Sequence, residues 1–350
     1  MLHRFTFKFT LVFSIIIGII CYYRLRVEPK VTGDLCRMLS LPKVHETYEQ
    51  EIEQQMQKQY GIKVQNIETY NGKDTCDYEI LSIGDSFTEA FNCGHISYSA
   101  LLGQLSGKTA ARMSGNLQDF VKLVNNNLLK PDTRVVVESV ERAAISRFIS
   151  VDFSASVDLL DLQESQQSFE NKANTTRFSC MSRTCIWLRS VLHLGPKPAA
   201  RQLKLSAPMF TGDENSNLLL YYKDDIVFGE YDQSSANTIK ENINRAKQMA
   251  DSAGIELLVV VAADKYDFYY SWIINPPTSP NPTLDFFPRD SAYFVDTKSL
   301  LLPYAEQGLK DIYKCSDTHW STIGSYIVAN EILKRFGLEK INKVELKESH

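Results

Sequence analysis

The hydrophobic pattern divides the chain into a terminal apolar run, a helical lead-in, and a long stretch where short apolar runs alternate with amphipathic segments. Phe5–Tyr23 is apolar apart from Lys8 and a few small polar residues. His3 and Arg4 precede it; Arg24, Arg26 and Lys30 follow it. Its uninterrupted part, Phe9–Tyr23, would rise about 22 Å as a helix, short of a hydrocarbon core of about 30 Å. Adding Phe5–Phe7 and letting Lys8 extend toward the headgroups makes it long enough. A cleavable signal would be followed by small residues of the A-x-A type, and none follows. Ile20 is too bulky for a lipoprotein cleavage site before Cys21. The pattern predicts an uncleaved anchor within residues 1–30.

Residues 31–77 read as a helical spacer and lead-in. In Leu41–Gly61, Val44, Tyr48, Ile52 and Met56 recur every four residues, and Gly61 is placed to cap the helix. Val64–Tyr70 predicts a strand, with a turn at Asn71-Gly72. From Tyr78 the rhythm becomes strand, helix, strand. The predicted strands are Tyr78–Ile83, Thr109–Met113, Arg134–Val140, Glu256–Ala262 and Ala292–Val295. The predicted helices are Ser97–Leu105, Leu117–Leu129, Ser235–Ala253 and Ser321–Phe336, with loop and a short helix over Asp296–Gln307. Alternation of this length predicts an α/β domain over 78–340 with a mainly parallel sheet. A serine-rich stretch at about 150–233 breaks the rhythm and reads as a partly helical insertion or lid. Residues 341–350 form a charged tail.

Composition changes little in this picture. Of 350 residues, 44% are hydrophobic and 23% charged, and the net charge is −4, which gives no reason to expect nucleic acid as a partner. The cysteines agree with export. Outside the apolar run they are Cys36, Cys76, Cys93, Cys180, Cys185 and Cys315. Six cysteines allow about fifteen pairings. Cys180 and Cys185 are close enough to close a small loop. A Cys93–Cys315 bridge would tie together the two motifs discussed next, leaving Cys36 with Cys76. The alternative is that some are buried thiols.

Two short motifs carry chemistry. The strand Tyr78–Ile83 runs into Gly84-Asp85-Ser86-Phe87-Thr88, which presents the Ser86 hydroxyl at the carboxyl edge of a sheet, where open α/β sheets bind ligands. A serine nucleophile needs a base. Asp317-Thr318-His319, just before the last helix with Ser321 or Thr322 as its cap, supplies an imidazole and a carboxylate to orient it. Each motif alone has an ordinary structural reading, a helix cap for Ser86 and a buried hydrogen-bonded pair for Asp317 and His319. Together they predict a Ser86–His319–Asp317 triad, which calls for neither metal nor cofactor.

Gly84-Asp85-Ser86-Phe87 after a strand resembles the first block of SGNH/GDSL hydrolases. Asp317-Thr318-His319-Trp320-Ser321 resembles the Asp-x-His-Trp motif of alginate O-acetyltransferases and related polysaccharide acetylation proteins. Val137-Glu138-Ser139-Val140-Glu141-Arg142 is similar to that group's strand ending in Glu-Arg. Val261-Ala262-Ala263-Asp264-Lys265-Tyr266, with Tyr269 after it, is similar to its strand followed by Asp-Lys and a tyrosine. These pieces cover most of 78–145 and 235–335. In the alginate proteins the Asp/His motif precedes the serine; here the serine comes first, as in ordinary SGNH hydrolases. The usual Gly-x-Asn-Asp block is absent, and Glu138–Arg142 stands in its place.

The resemblance implies an SGNH-hydrolase-like three-layer sandwich and a membrane-anchored O-acetyltransferase. It would pass acetyl from Ser86 to hydroxyls of an extracytoplasmic polysaccharide, with a multi-spanning membrane acyltransferase as acetyl donor. The alternatives are an esterase that uses water with the same triad and a non-catalytic glycan-binding assembly protein. Gly115 would be an oxyanion donor or a plain turn glycine. Asn116 would be a second donor or a helix cap. Arg142 would bind substrate or pair with a core carboxylate, and Trp320 would stack on a sugar or pack internally.

Overall fold

The computed structural model describes residues 9–18, 34–35, 54–55, 57–59, 61–63, 67–89, 96–156, 200–211, 216–226 and 232–338. Six strands form one sheet: β1 (Glu68–Thr69), β2 (Ile80–Gly84), β3 (Ala110–Ser114), β4 (Arg134–Val140), β7 (Glu256–Ala262) and β8 (Phe294–Asp296). Their order is β1-β3-β2-β4-β7-β8, and every neighbouring pair is parallel. The central strands β2, β4 and β7 are buried almost throughout. Parallel strands covered on both faces have this near-continuous apolar character, which explains why ILSIG, RVVVESV and ELLVVVA stand out in the sequence.

Successive residues of these strands feed two separate cores. Ile80, Val136, Leu258 and Val260 pack on one side with residues of α1 (Tyr98–Ser106), α6 (Thr297–Glu306) and α7 (Thr322–Arg335). Leu81, Val135, Val137, Val259 and Val261 pack on the other with residues of α2 (Leu117–Asn125), α3 (Glu141–Ile149) and α4 (Gln233–Ser252). The result is a helix–sheet–helix sandwich. The helix starts follow local capping chemistry: Ser97, Asn116, Asp232, Asp296 and Ser321 each accept a backbone N–H of the first turn. From β2 the chain moves to β3 on one side and then returns to β4 on the other. The strand order therefore reverses at β2, and the carboxyl ends of β2 and β4 flank the crevice where such sheets bind ligands.

Several boundaries differ from those predicted. Within residues 296–307, predicted as loop and short helix, Thr297–Glu306 form one helix, capped by the Asp296 side chain and running through Pro303. α3 was not anticipated: Glu141-Arg142 turn directly from strand into helix. The described part of the insertion holds a two-stranded antiparallel ribbon of β5 (Ala200–Lys204) and β6 (Leu218–Tyr222), followed by a 3-10 turn at Lys223–Ile226. This ribbon is packed onto the domain. Leu219, Tyr221 and Phe210 join the core beside α1 and α7, and the Tyr221 ring lies tilted against Tyr266 with centroids 5.2 Å apart. Of the spacer helix, residues 54–55 and 57–59 are helical, and Gly61 takes the left-handed conformation expected of a cap, with φ +63°.

Residues 9–18 are helical, and Phe9, Leu11, Val12, Phe13, Ile15 and Ile16 are exposed. Among the described residues, no helix is long and apolar enough to cross a membrane. The remainder of the predicted anchor, the charged tail, and Cys36, Cys93, Cys180 and Cys185 lie outside the described residues. Cys76 is a buried free thiol, so the expected Cys36–Cys76 bridge is not formed; burial pushes this thiol's pKa up. Cys315 is buried with its sulfur 4.0 Å from the Leu218 carbonyl oxygen, held between the ribbon and the last motif.

Candidate active site

The serine sits on a tight turn that the strand ending builds. β2 stops at Gly84, and Ser86–Thr88 form a single 3-10 turn. Asp85 holds that turn with its side chain. One carboxylate oxygen accepts the Phe87 N–H at 3.1 Å; the other accepts the Val140 N–H at 2.8 Å and Arg147 of α3 at 2.9 Å. Gly84 has to be glycine here. A Cβ would lie 2.4 Å from Glu138 Oε2 and 2.6 Å from Thr88 Cγ2. Glu138 stands directly behind the turn and accepts the Asp85 N–H at 3.1 Å. Burial first, and the Asp85 charge second, hold its carboxyl well above the ordinary range. Ser86 itself is half-buried, whereas Phe87 and Thr88 are buried.

The base arrives from the other end of the chain. Tyr313 and Trp320 form an antiparallel bridge, closed by Lys314 N–H to the His319 carbonyl at 3.1 Å and Ser321 N–H to the Ile312 carbonyl at 3.0 Å. Residues 314–319 form the loop of this small hairpin. Gly324 lets the first turn of α7 press against it, since a Cβ there would lie 2.4 Å from the Ile312 carbonyl oxygen. The His319 Nε2 is 2.7 Å from Ser86 Oγ, and its Nδ1 is 2.5 Å from Asp317 Oδ1. Asp317 Oδ1 also accepts the His319 N–H at 3.2 Å, locking backbone and ring together. Burial works against a charged imidazole, but the Asp317 charge and hydrogen bond, with Asp34 and Asp85 beyond, outweigh it and raise the His319 pKa. The two motifs, 233 residues apart, thus meet in one hydrogen-bonded line.

Lys265 follows the end of β7 and reaches under the 314–319 loop. It is buried at 1% exposure, and its ammonium donates to the carbonyls of Lys314 at 2.5 Å, Cys315 at 2.9 Å and Asp317 at 3.1 Å. It holds the 314–319 loop from inside. Asp34, for which no sequence signal was recognised, holds it from the other direction: Thr318 N–H and Oγ donate to its carboxylate at 3.0 and 2.8 Å.

The secondary candidates fall on their structural readings. The Gly115 N–H donates to the Gly84 carbonyl at 3.0 Å, extending the β2–β3 ladder, so it does not point at an oxyanion. Asn116 caps α2 by accepting the Gln118 N–H at 2.8 Å, in a capping box with Asp119. Trp320 is 1% exposed, wedged edge-on against Phe87 at 4.7 Å, and its indole cannot stack on a sugar. Arg142 pairs with Asp264 at 2.5 Å and Asp225 at 3.3 Å, both with fully buried side chains. Burial raises the pKa of both carboxyls, that of Asp264 to about 6, although Arg142 pulls each down. Replacing Arg142 by methionine is expected to destabilise the fold by about 3 kcal/mol at neutral pH, because it leaves two buried acids without their cation. Urea denaturation measures this, and a loss below about 1 kcal/mol would contradict it.

The Ser86 N–H has no acceptor among the described residues. Asp34, Asp317 and His319 place one potential ligand atom each within 4.8 Å of one another. A metal would have to displace existing partners, since the imidazole nitrogens face Asp317 and Ser86 and the Asp34 oxygens face Thr318. The arrangement suits proton transfer to and from a serine oxygen, and it stands at the carboxyl edge of a parallel α/β sheet. No protein-family model matches this chain, and no curated protein or solved structure is significantly similar to it.

Proposed function

We propose that this protein is a membrane-anchored serine acyltransferase of SGNH-like type. It moves acetyl groups onto hydroxyls of an extracytoplasmic polysaccharide. The observation that carries the reading is the line Ser86 Oγ–His319 Nε2–Asp317 Oδ1, with separations of 2.7 and 2.5 Å. Distances of this size allow direct proton transfer between nucleophile, base and orienting carboxylate. The exposed apolar helix at 9–18 supports the anchor. A multi-spanning membrane acyltransferase would deliver the acetyl group.

In the first half-reaction His319 Nε2 takes the Ser86 proton while Ser86 Oγ attacks the acetyl carbonyl carbon. The Ser86 N–H stabilises the oxyanion. The tetrahedral adduct collapses to acetyl-Ser86, and the donor's leaving group departs with the proton from His319. In the second half a sugar hydroxyl gives its proton to His319 and attacks the acetyl carbon. The ester forms on the sugar, and Ser86 Oγ recovers the proton. Asp317 stays ionised throughout and stabilises the imidazolium.

The test is intact-mass analysis of the protein mixed with p-nitrophenyl acetate, with and without short oligosaccharides. An acetyl adduct discharged faster when sugar is present is the expected result. Turnover indifferent to sugar would replace the reading with that of a carbohydrate esterase. Neither adduct nor turnover would leave an inactive, glycan-binding role.

A further inference from the structure

The short segment 34–35 reaches the catalytic loop from outside the sandwich. Leu35 is fully buried, and its N–H donates to the Ser316 carbonyl at 3.0 Å. Asp34 accepts the Thr318 N–H at 3.0 Å and the Thr318 hydroxyl at 2.8 Å, and its own N–H donates to Asp317 Oδ2 at 3.3 Å. We propose that Asp34 is a positioning residue of the site: it clamps the turn that carries Asp317 and His319, and its carboxylate places a second negative charge beside the imidazole. The proposal rests on the acyl-transfer reading given above.

Thr318 lies between the two residues whose spacing matters, so fixing its N–H and hydroxyl fixes the backbone on both sides. Asp317 Oδ1 serves the imidazole and the His319 N–H. Asp317 Oδ2 is held by the Asp34 N–H, which keeps the carboxylate from rotating away. The charge effect is separate from the clamp. Burial and the neighbouring Asp317 charge push the Asp34 carboxyl up to about 6, so it ionises close to the range in which a histidine base loses its proton. The groups facing the imidazole are Asp34, Asp317 and Asp85, the last of which is paired with Arg147 of α3. Ionised Asp34 favours the imidazolium.

The experiment uses the full chain in detergent micelles, as wild type, Asp34→Asn and Asp34→Ala. Ester turnover is measured against pH, and His319 titration is followed by NMR, assigned against His319→Gln. Asp34→Ala is expected to lower kcat about 10- to 100-fold with little change in KM, because the reacting groups are misplaced and binding is untouched. Asp34→Asn keeps an acceptor for Thr318 and is expected to recover most of that loss. In both variants His319 should titrate at lower pH than in wild type. An unchanged His319 titration in Asp34→Asn overturns the charge effect, and an unchanged kcat in Asp34→Ala overturns the clamp. If wild type cleaves no ester, the acyl-transfer reading fails, and the titration still decides whether Asp34 acts on His319.

Discussion

Replacing Ser86 by alanine is expected to abolish acyl-enzyme formation, with a fall of about 10⁶-fold in kcat. The size follows from how the line of groups works. Once the hydroxyl is gone, His319 has no proton to take and no covalent intermediate can hold the acetyl group. What survives is binding plus the electrostatic help of the turn, which leaves a small residual rate. The fold is expected to be unaffected. Ser86 is half-buried, and its hydroxyl contacts His319. The turn is held by Asp85 and by the Thr88 N–H, which donates to the Asp85 carbonyl at 3.1 Å. Intact mass after incubation with p-nitrophenyl acetate reads the adduct directly, and stopped-assay turnover reads the rate. An acetyl adduct of wild-type yield on the alanine variant would show that Ser86 is not the nucleophile.

The second large effect is expected from Asp317→Asn, about 10⁴-fold in kcat. The asparagine keeps one oxygen, which can accept either the His319 N–H or the Asp34 N–H but not both, while Lys265 and the Thr318–Asp34 hydrogen bonds still hold the loop. It loses the charge that stabilises the imidazolium, and its amide group permits the wrong imidazole tautomer. The pH dependence follows with a definite sign. His319 has to be neutral to act as base, and its pKa is raised in the folded protein. The acid limb of kcat/KM in wild type should therefore lie above the ordinary imidazole value of about 6.5, with activity lost as pH falls through it. In Asp317→Asn the limb should move to lower pH while the plateau collapses. A limb that stays in place, with the rate within about tenfold of wild type, would mean that Asp317 is not the orienting carboxylate.

Much of this protein is legible in its sequence because the relevant physics is local. The runs at 80–84, 134–140 and 256–262 are mostly apolar and buried at nearly every position, as parallel strands covered on both faces are, and the capping residues Ser97, Asn116 and Ser321 mark their helices. Ser86 and the Asp317-Thr318-His319 triplet stand out because a candidate nucleophile and base are defined by residue type next to an element boundary. What sequence could not decide is which polar residues each of them would meet. Gly115 and Trp320 looked available for substrate. One gives its N–H to the neighbouring strand and the other fills the core, and both facts depend on packing between distant segments. Lys265 and Asp34 carry no local signal of their role, since neither a lysine after a strand nor an aspartate in a lead-in is unusual. Only the folded chain brings the Lys265 ammonium under three loop carbonyls and the Asp34 carboxylate against Thr318. A low-dielectric interior leaves no buried charge or carbonyl without a partner at small cost, so such partners are selected by three-dimensional proximity. The sequence by itself determined the buried parallel strands, most of the helices and the candidate groups Ser86, Asp317 and His319; tertiary structure alone decided the order of the strands and what holds those groups in place.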